Sequence, residues 1–147
     1  MPLTGEYEPT PSDWVREQVE TYERTNGAEA NTLLDTGIPI VIITTRGKNS
    51  GKLRKFALMR VEYEGEYALV ASMGGAPQNP SWYHNIVAEP LVMIQDGPAP
   101  GDFATEIVEG DERQEWWERA AAVFPTYDKY AAKTDRRIPV FVARPAT

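Results

Sequence analysis

The sequence predicts an α+β protein that is mainly β: a small antiparallel barrel of about six strands with helices packed on its outside. Three observations predict it. Short β-branched runs such as Ile38 to Thr45 (IPIVIITT) are separated by turn and hairpin signals rather than by long crossovers. Helical patterns come late and singly, not between every pair of strands. The 147 residues, 41% hydrophobic and 25% charged, suit one domain with one good core.

The elements follow in order. Residues 1–9 read as a tail, unstructured or draped. Thr10-Pro11-Ser12-Asp13 reads as a helix start, with Thr10 at N-cap, Pro11 at the first helical position and Asp13 three residues after the cap. Val15, Val19 and Tyr22 form one apolar stripe on a helix over 11–26, and Gly27 ends it. Residues 38–45 form a buried strand. Residues 54–63 and 66–72 form two more strands around the Glu64-Gly65 hairpin turn. Asn79-Pro80 opens a second helix that Glu89-Pro90 closes. Leu91 to Gln95 is a strand, Gly97-Pro98-Ala99-Pro100-Gly101 a rigid turn, and Phe103 to Val108 a further strand. Asp111 and Gln114 read as a capping pair for a third helix that shows Trp117, Ala121 and Phe124 on one face. An aromatic segment around Tyr127 and Tyr130 follows, and Ile138 to Ala143 is the last strand.

Composition excludes several chemistries. There are no cysteines, so disulfides and thiolate zinc sites are out. His84 is the only histidine, which rules out a multi-histidine metal centre and any histidine triad that does not use it. No pair of carboxylates has a spacing that suggests glycosidase or metal chemistry. The longest apolar run is too short to span a bilayer, and the first residues lack a basic, then apolar, leader. The expected compartment is therefore the cytoplasm; a monomer is favoured as the default state, which no motif here specifies. The formal charge of -7 argues against nucleic acid as the main partner.

Against that acidity stands Arg46 to Lys55 (RGKNSGKLRK), with five positive charges and no negative one. The chain has 15 Lys+Arg against 22 Asp+Glu; without this segment the balance is 10 against 22. Like charges repel at short range, so the cluster calls for an anion. Gly47, Asn49, Ser50 and Gly51 make a turn with exposed N–H groups. Lys48 would supply a point charge and Arg54 a bidentate clamp for phosphate or carboxylate. A solvated hairpin loop is the alternative. Two weaker signals accompany it. Ala71-Ser72-Met73-Gly74-Gly75 and the helix start at Asn79 to Asn85 offer close backbone approach and free N–H groups. Phe124, Tyr127 and Tyr130, three apart, either pack in the core or leave a phenol able to donate to a substrate oxygen. His84 reads as a surface or packing residue. With no nucleophile-and-base pair evident, redox or transfer chemistry would have to come from a cofactor.

Several stretches together resemble the deazaflavin-dependent nitroreductase family of actinobacteria, the A-type oxidoreductases that use coenzyme F420. They are Thr44 to Gly51 with Arg54, Ala71-Ser72-x-Gly74-Gly75-Ala76, Asn79-Pro80-x-Trp82-Tyr83-x-Asn85, Pro125-x-Tyr127-x-x-Tyr130, and Thr134-Asp135-Arg136-x-Ile138-Pro139. The resemblance runs in order from about residue 38 to 143. It implies a flavin-reductase-like split β-barrel that holds reduced 8-hydroxy-5-deazaflavin, with the phosphate and γ-glutamyl tail in the basic turn. It implies hydride transfer from the cofactor's C5 to an electron-poor acceptor. The implied cofactor contacts are Lys48, Asn49 and Ser50; Arg54, Lys55, Phe56, Ala57, Leu58 and Met59; Val70, Ala71, Ser72 and Met73; Ser81, Trp82, Tyr83, His84 and Asn85; and Tyr127. Tyr130, Tyr127 and Ser72 are the candidate catalytic donors. Met73 stands where the nitroreductases often have lysine, and Phe124 and Met59 where they have tyrosines. With fewer phenols in the acceptor pocket, an apolar, bulky small-molecule acceptor such as an α,β-unsaturated ester, lactone or ketone fits better than a nitroimidazole. A flavin mononucleotide oxidoreductase on the same barrel and a non-catalytic cofactor carrier remain open. The N-terminal helix, with Trp14, is either a lid on the acceptor pocket or a packed cover on the barrel end.

Overall fold

The computed structural model describes residues 3–33, 36–98 and 100–146. Seven strands form one antiparallel sheet: β1 (Ile40–Arg46), β2 (Leu53–Met59), β3 (Glu62–Tyr63), β4 (Glu66–Val70), β5 (Leu91–Gln95), β6 (Pro100–Ile107) and β7 (Val140–Pro145). Four helices accompany them: α1 (Asp13–Arg24), α2 (Ser81–Ala88), α3 (Gly110–Val123) and α4 (Thr126–Lys133). The sheet order is β2-β1-β5-β6-β7-β4-β3.

That order forces curvature. β2 and β3 are the two edges of the sheet, yet only Arg60 and Val61 separate them in the chain. The edges of a flat seven-stranded sheet would lie about 29 Å apart at the usual strand spacing. Three Cα steps reach only about 10 Å. The sheet therefore curls until its edges meet, as a split barrel does. A polar latch sits at the junction. The Arg60 N–H donates to the Pro39 carbonyl at 2.8 Å, the Arg60 guanidinium holds Asp96 at 2.7 Å, and the Tyr67 hydroxyl donates to the same carboxylate at 2.7 Å.

The β1–β2 register pairs Val41 with Leu58, Ile43 with Phe56 and Thr45 with Arg54. Paired residues share a face. Val41, Ile43, Phe56 and Leu58 therefore point into the barrel, where they pack with Trp82, Tyr83 and Phe141. Ile40, Ile42 and Ala57 point outward, under Val19 and Tyr22 of α1. A second core packs α3 and α4 on the sheet and contains Val70, Trp116, Trp117, Tyr127, Val140 and Val142.

Several boundaries differ from expectation. The strand predicted over 54–63 breaks at Arg60, because the chain must cross from one sheet edge to the other. The strand predicted over 66–72 ends at Val70 and passes into a 3-10 turn, Met73–Gly75. Helix α1 starts at Asp13, not Pro11, and Thr10 does not cap it: its hydroxyl accepts only a long 3.5 Å contact from the Ser12 N–H. Asp111 and Gln114 form no capping box, because α3 begins at Gly110 and Gln114 reaches forward to Glu118 instead. In the turn predicted over 97–101, Pro100 and Gly101 are already in β6, paired with Gln95 and Ile94; Ala99 lies outside the described residues. The aromatic segment is a full helix, α4, tied to α3 by the Trp117 indole N–H donating to Asp128 at 2.7 Å. No helix among the described residues is long and apolar enough to cross a membrane.

Candidate active site

A cavity of about 510 Å³ opens where the β1–β2 turn faces the start of α2. Nine of the expected cofactor contacts line it: Lys48, Asn49, Ser50, Arg54, Lys55, Phe56, Ser81, Trp82 and Asn85. The fold assembles them from three places. The turn carries Lys48 to Ser50, and the Asn85 side chain accepts from the Lys48 N–H at 2.9 Å, which ties the turn to α2. Gly47 allows the tight return: a Cβ there would lie 2.7 Å from Ser50 Oγ and 3.2 Å from the Lys52 carbonyl. Phe56 stacks on Trp82 with ring centroids 5.1 Å apart and planes 15° from parallel, and the pair forms the aromatic wall of the cavity.

The five cations have separate fates. Arg46 braces the turn, donating to Glu89 at 2.8 Å and to the Gly51 and Thr4 carbonyls at 2.9 Å each. Lys52 faces Glu6 at 3.6 Å and Arg54 faces Glu8 at 3.4 Å. Lys55 is on the α1 side and holds Glu23 at 2.5 Å. Among the described residues Lys48 alone of the five makes no ion pair. The charge cluster is thus neutralised largely by carboxylates of the same chain, and repulsion alone does not require a foreign anion. What favours one is the placement: Lys48 and Arg54 line the same cavity with Ser50, Ser81 and Asn49. Beside Arg54, and on its face of the sheet, the wholly buried Thr45 hydroxyl has no partner.

The remaining expected residues are elsewhere. Leu58 and Tyr83 are in the barrel core, and Ala57 faces α1. His84 is exposed and meets Tyr83 edge-on at 5.1 Å, so helix geometry turns it out of the cavity. Met59, Val70, Tyr127 and Tyr130 belong to the α3–α4 core. Tyr127 is 2% exposed, and burial, helped by Tyr130, pushes its phenol well above the ordinary range. Its position inside that core keeps it out of the cavity that Lys48 and Arg54 share. Ser72 is buried at the end of the β4 segment, its carbonyl accepting from Arg136 at 2.8 Å. Met73 is 52% exposed, with φ +47, and starts a left-handed turn with Gly74 and Gly75.

Two features escaped the sequence reading. Glu8, Thr10 and Val15 also line the cavity, so the tail and α1 form one of its walls. Trp14 does not; it is 55% exposed, while Val19 and Tyr22 anchor the helix. The second feature is Arg136. Its guanidinium donates to the Ala71, Ser72 and Ala76 carbonyls and to the Asn79 side chain at 2.7–3.1 Å, and so fixes the loop between β4 and α2. Glu6 and Glu8 at alternate positions were the available hint for the first; Arg136 gave none beyond its place in the Thr-Asp-Arg stretch. Among the described residues no group of His, Cys, Asp or Glu side chains could hold a metal ion.

The curled seven-stranded sheet with its outer helices has the fold of the flavin-reductase-like split barrels. The family model of the F420H(2)-dependent quinone reductases matches residues 14–145, and the chain belongs to that family of F420H2-dependent oxidoreductases. It is 31% identical over 124 residues to the F420H(2)-dependent quinone reductase Rv1261c of Mycobacterium tuberculosis, covering 82% of this chain and 83% of that one. Among solved structures it is 50% identical to an F420-H2 dependent reductase, FDR-A, with TM-score 0.69 over 72% of this chain and 94% of the other. Another, described as a domain-swapped dimer, is 47% identical with TM-score 0.72, covering 92% of this chain and all of that one.

Proposed function

We propose that this protein uses reduced coenzyme F420 to reduce the conjugated C=C–C=O system of a small hydrophobic acceptor, a class that runs from quinones to α,β-unsaturated esters, lactones and ketones. The observation that carries it is the cavity that Lys48 and Arg54 line together with the stacked Phe56–Trp82 pair. An anionic tail and a planar ring in one molecule fit the two halves of that space. When bound, reduced F420 supplies the hydride equivalent.

The chain's residues bind and orient. Arg54 grips a phosphate or carboxylate in bidentate fashion and Lys48 adds a point charge. Asn85 holds the turn against α2, and Trp82 with Phe56 sets the plane of the ring. Hydride addition to the acceptor's β-carbon pushes the electron pair onto its carbonyl oxygen, and the α-carbon then takes a proton from solvent. A hydrogen-bond donor aimed at that oxygen lowers the barrier by about 3 kcal/mol. We assign this role to Tyr130, the half-buried α4 residue whose backbone packs on Gly75, just past Ser72; Tyr127, enclosed in the α3–α4 core, takes no part. The resemblance to a domain-swapped relative favours a dimer over the monomer suggested by the sequence.

The test is an assay of reduced F420 with a panel of naphthoquinones, enones, lactones and nitroaromatics, followed by the cofactor's visible absorbance. Reduction of the conjugated carbonyl compounds well above the protein-free rate is expected. Tight F420 binding with no acceptor turned over would make the protein a carrier. Copurified yellow flavin would favour the flavin mononucleotide reading.

A further inference from the structure

The first described residues do not hang free. Leu3 is buried, and Tyr7 lies parallel to Leu53 at the open edge of β2. The Leu53 N–H donates to the Glu6 carbonyl at 2.7 Å, and the Glu8 N–H donates to the Leu53 carbonyl at 2.9 Å. Extended backbone sends alternate side chains to opposite sides. Glu6 and Glu8 share one side, and there they meet Lys52 at 3.6 Å and Arg54 at 3.4 Å. Tyr7 takes the other side, under the Lys55 ammonium at 5.0 Å.

We propose that Glu8 is a specificity residue: its carboxylate occupies the anion position on Arg54, so the cavity accepts only ligands with more than one negative charge. This rests on reading the cavity as an anion site. The argument is one of exchange. A singly charged ligand that displaces Glu8 replaces one carboxylate–Arg54 contact with another and gains little. A multiply charged ligand takes Arg54 and also engages Lys48, which the 4–8 segment, a strap along β2, leaves without an ion pair.

The strap is held weakly enough to yield. Its ion pairs are longer than hydrogen bonds and reach half-exposed side chains, where such pairs contribute little. The buried Tyr7 hydroxyl has no hydrogen-bond partner, so docking leaves a donor unsatisfied. Arg46, reaching the Thr4 carbonyl at 2.9 Å, keeps the segment close when Glu8 swings away.

The experiment titrates the full chain and its Glu8→Gln and Glu6→Gln variants with acetate, pyrophosphate and F420. Glu8→Gln should tighten acetate by about fivefold, the span of a half-exposed ion pair, and narrow the preference for pyrophosphate. Glu6→Gln, outside the cavity, should change each affinity by less than about twofold. Hydrogen exchange at the Glu8 amide should accelerate by about tenfold on saturation with pyrophosphate as the strap lifts. Unchanged affinities in Glu8→Gln, or greater protection of that amide, would overturn the proposal. Arg54→Ala separates the two levels. If it loses pyrophosphate while Glu8→Gln does nothing, the cavity reading stands and the strap fails. If it binds every probe like the parent, both fall.

Discussion

Arg54→Ala removes the guanidinium that lines the cavity beside Glu8. A charge-assisted hydrogen bond is worth about 1.5–3 kcal/mol. Against this stands the Glu8 pair given up on binding, at most about 1 kcal/mol because both partners are partly exposed. The net loss is then about 2 kcal/mol, or about thirtyfold in the dissociation constant. The variant also leaves the Glu8 carboxylate facing the incoming anion, so Arg54→Ala combined with Glu8→Gln should recover part of the loss. Arg54→Lys should fall between parent and alanine, since it keeps the charge and loses the bidentate fork. Fluorescence titration with F420 measures all four proteins, and repeating it at high salt should shrink the differences. The rate at saturating cofactor should hold, because Arg54 touches the anionic end and not the reacting atoms. An Arg54→Ala protein that binds F420 as tightly as the parent refutes the anion-site argument.

Gly47→Ala should weaken F420 binding by distorting the turn, and adding Ser50→Ala should restore part of it by removing the 2.7 Å clash; equal binding by both variants would show that the turn is pliable. Arg136→Met strips the β4–α2 loop of its guanidinium contacts and should cost about 3 kcal/mol, about 10 °C in a chain of this size, read by calorimetry. Tyr127 predicts an alkaline effect. Its folded-state pKa lies above its ordinary 10.0, so its contribution is complete below about pH 10 and declines as pH rises, when the unfolded chain loses a proton that the folded one keeps. Urea midpoints should therefore fall more steeply above that pH in the parent than in Tyr127→Phe, and parallel curves would contradict the assignment.

The register of local signals carried much of the fold. The β-branched run before Arg46, the Glu64-Gly65 turn and the Asn79-Pro80 stop each act over a few residues, and the strands and helices lie within a few residues of where these signals put them. The Asp111–Gln114 cap failed because Gln114 found Glu118 one turn on, outside a four-residue window, and the Thr10 cap because the helix starts only at Asp13. For the site, the turn and the Asn-Pro-x-Trp stretch were legible because both sides of the cavity are contiguous segments. The tail was not, since its acidic residues acquire meaning only once they lie along β2.

Sequence alone thus determined the class of fold, the position of the cationic turn and the family resemblance, all of which reside in local periodicity and contiguous motifs. Tertiary structure decided the rest: that Glu89, Glu8 and Glu23 neutralise Arg46, Arg54 and Lys55, that Tyr127 is enclosed while Lys48 stays available, and that Arg136 grips a loop some 60 residues away. Coulomb and hydrogen-bond energies depend on distance in space. Curling the sheet until its edges meet sets those distances, and no spacing along the chain records them.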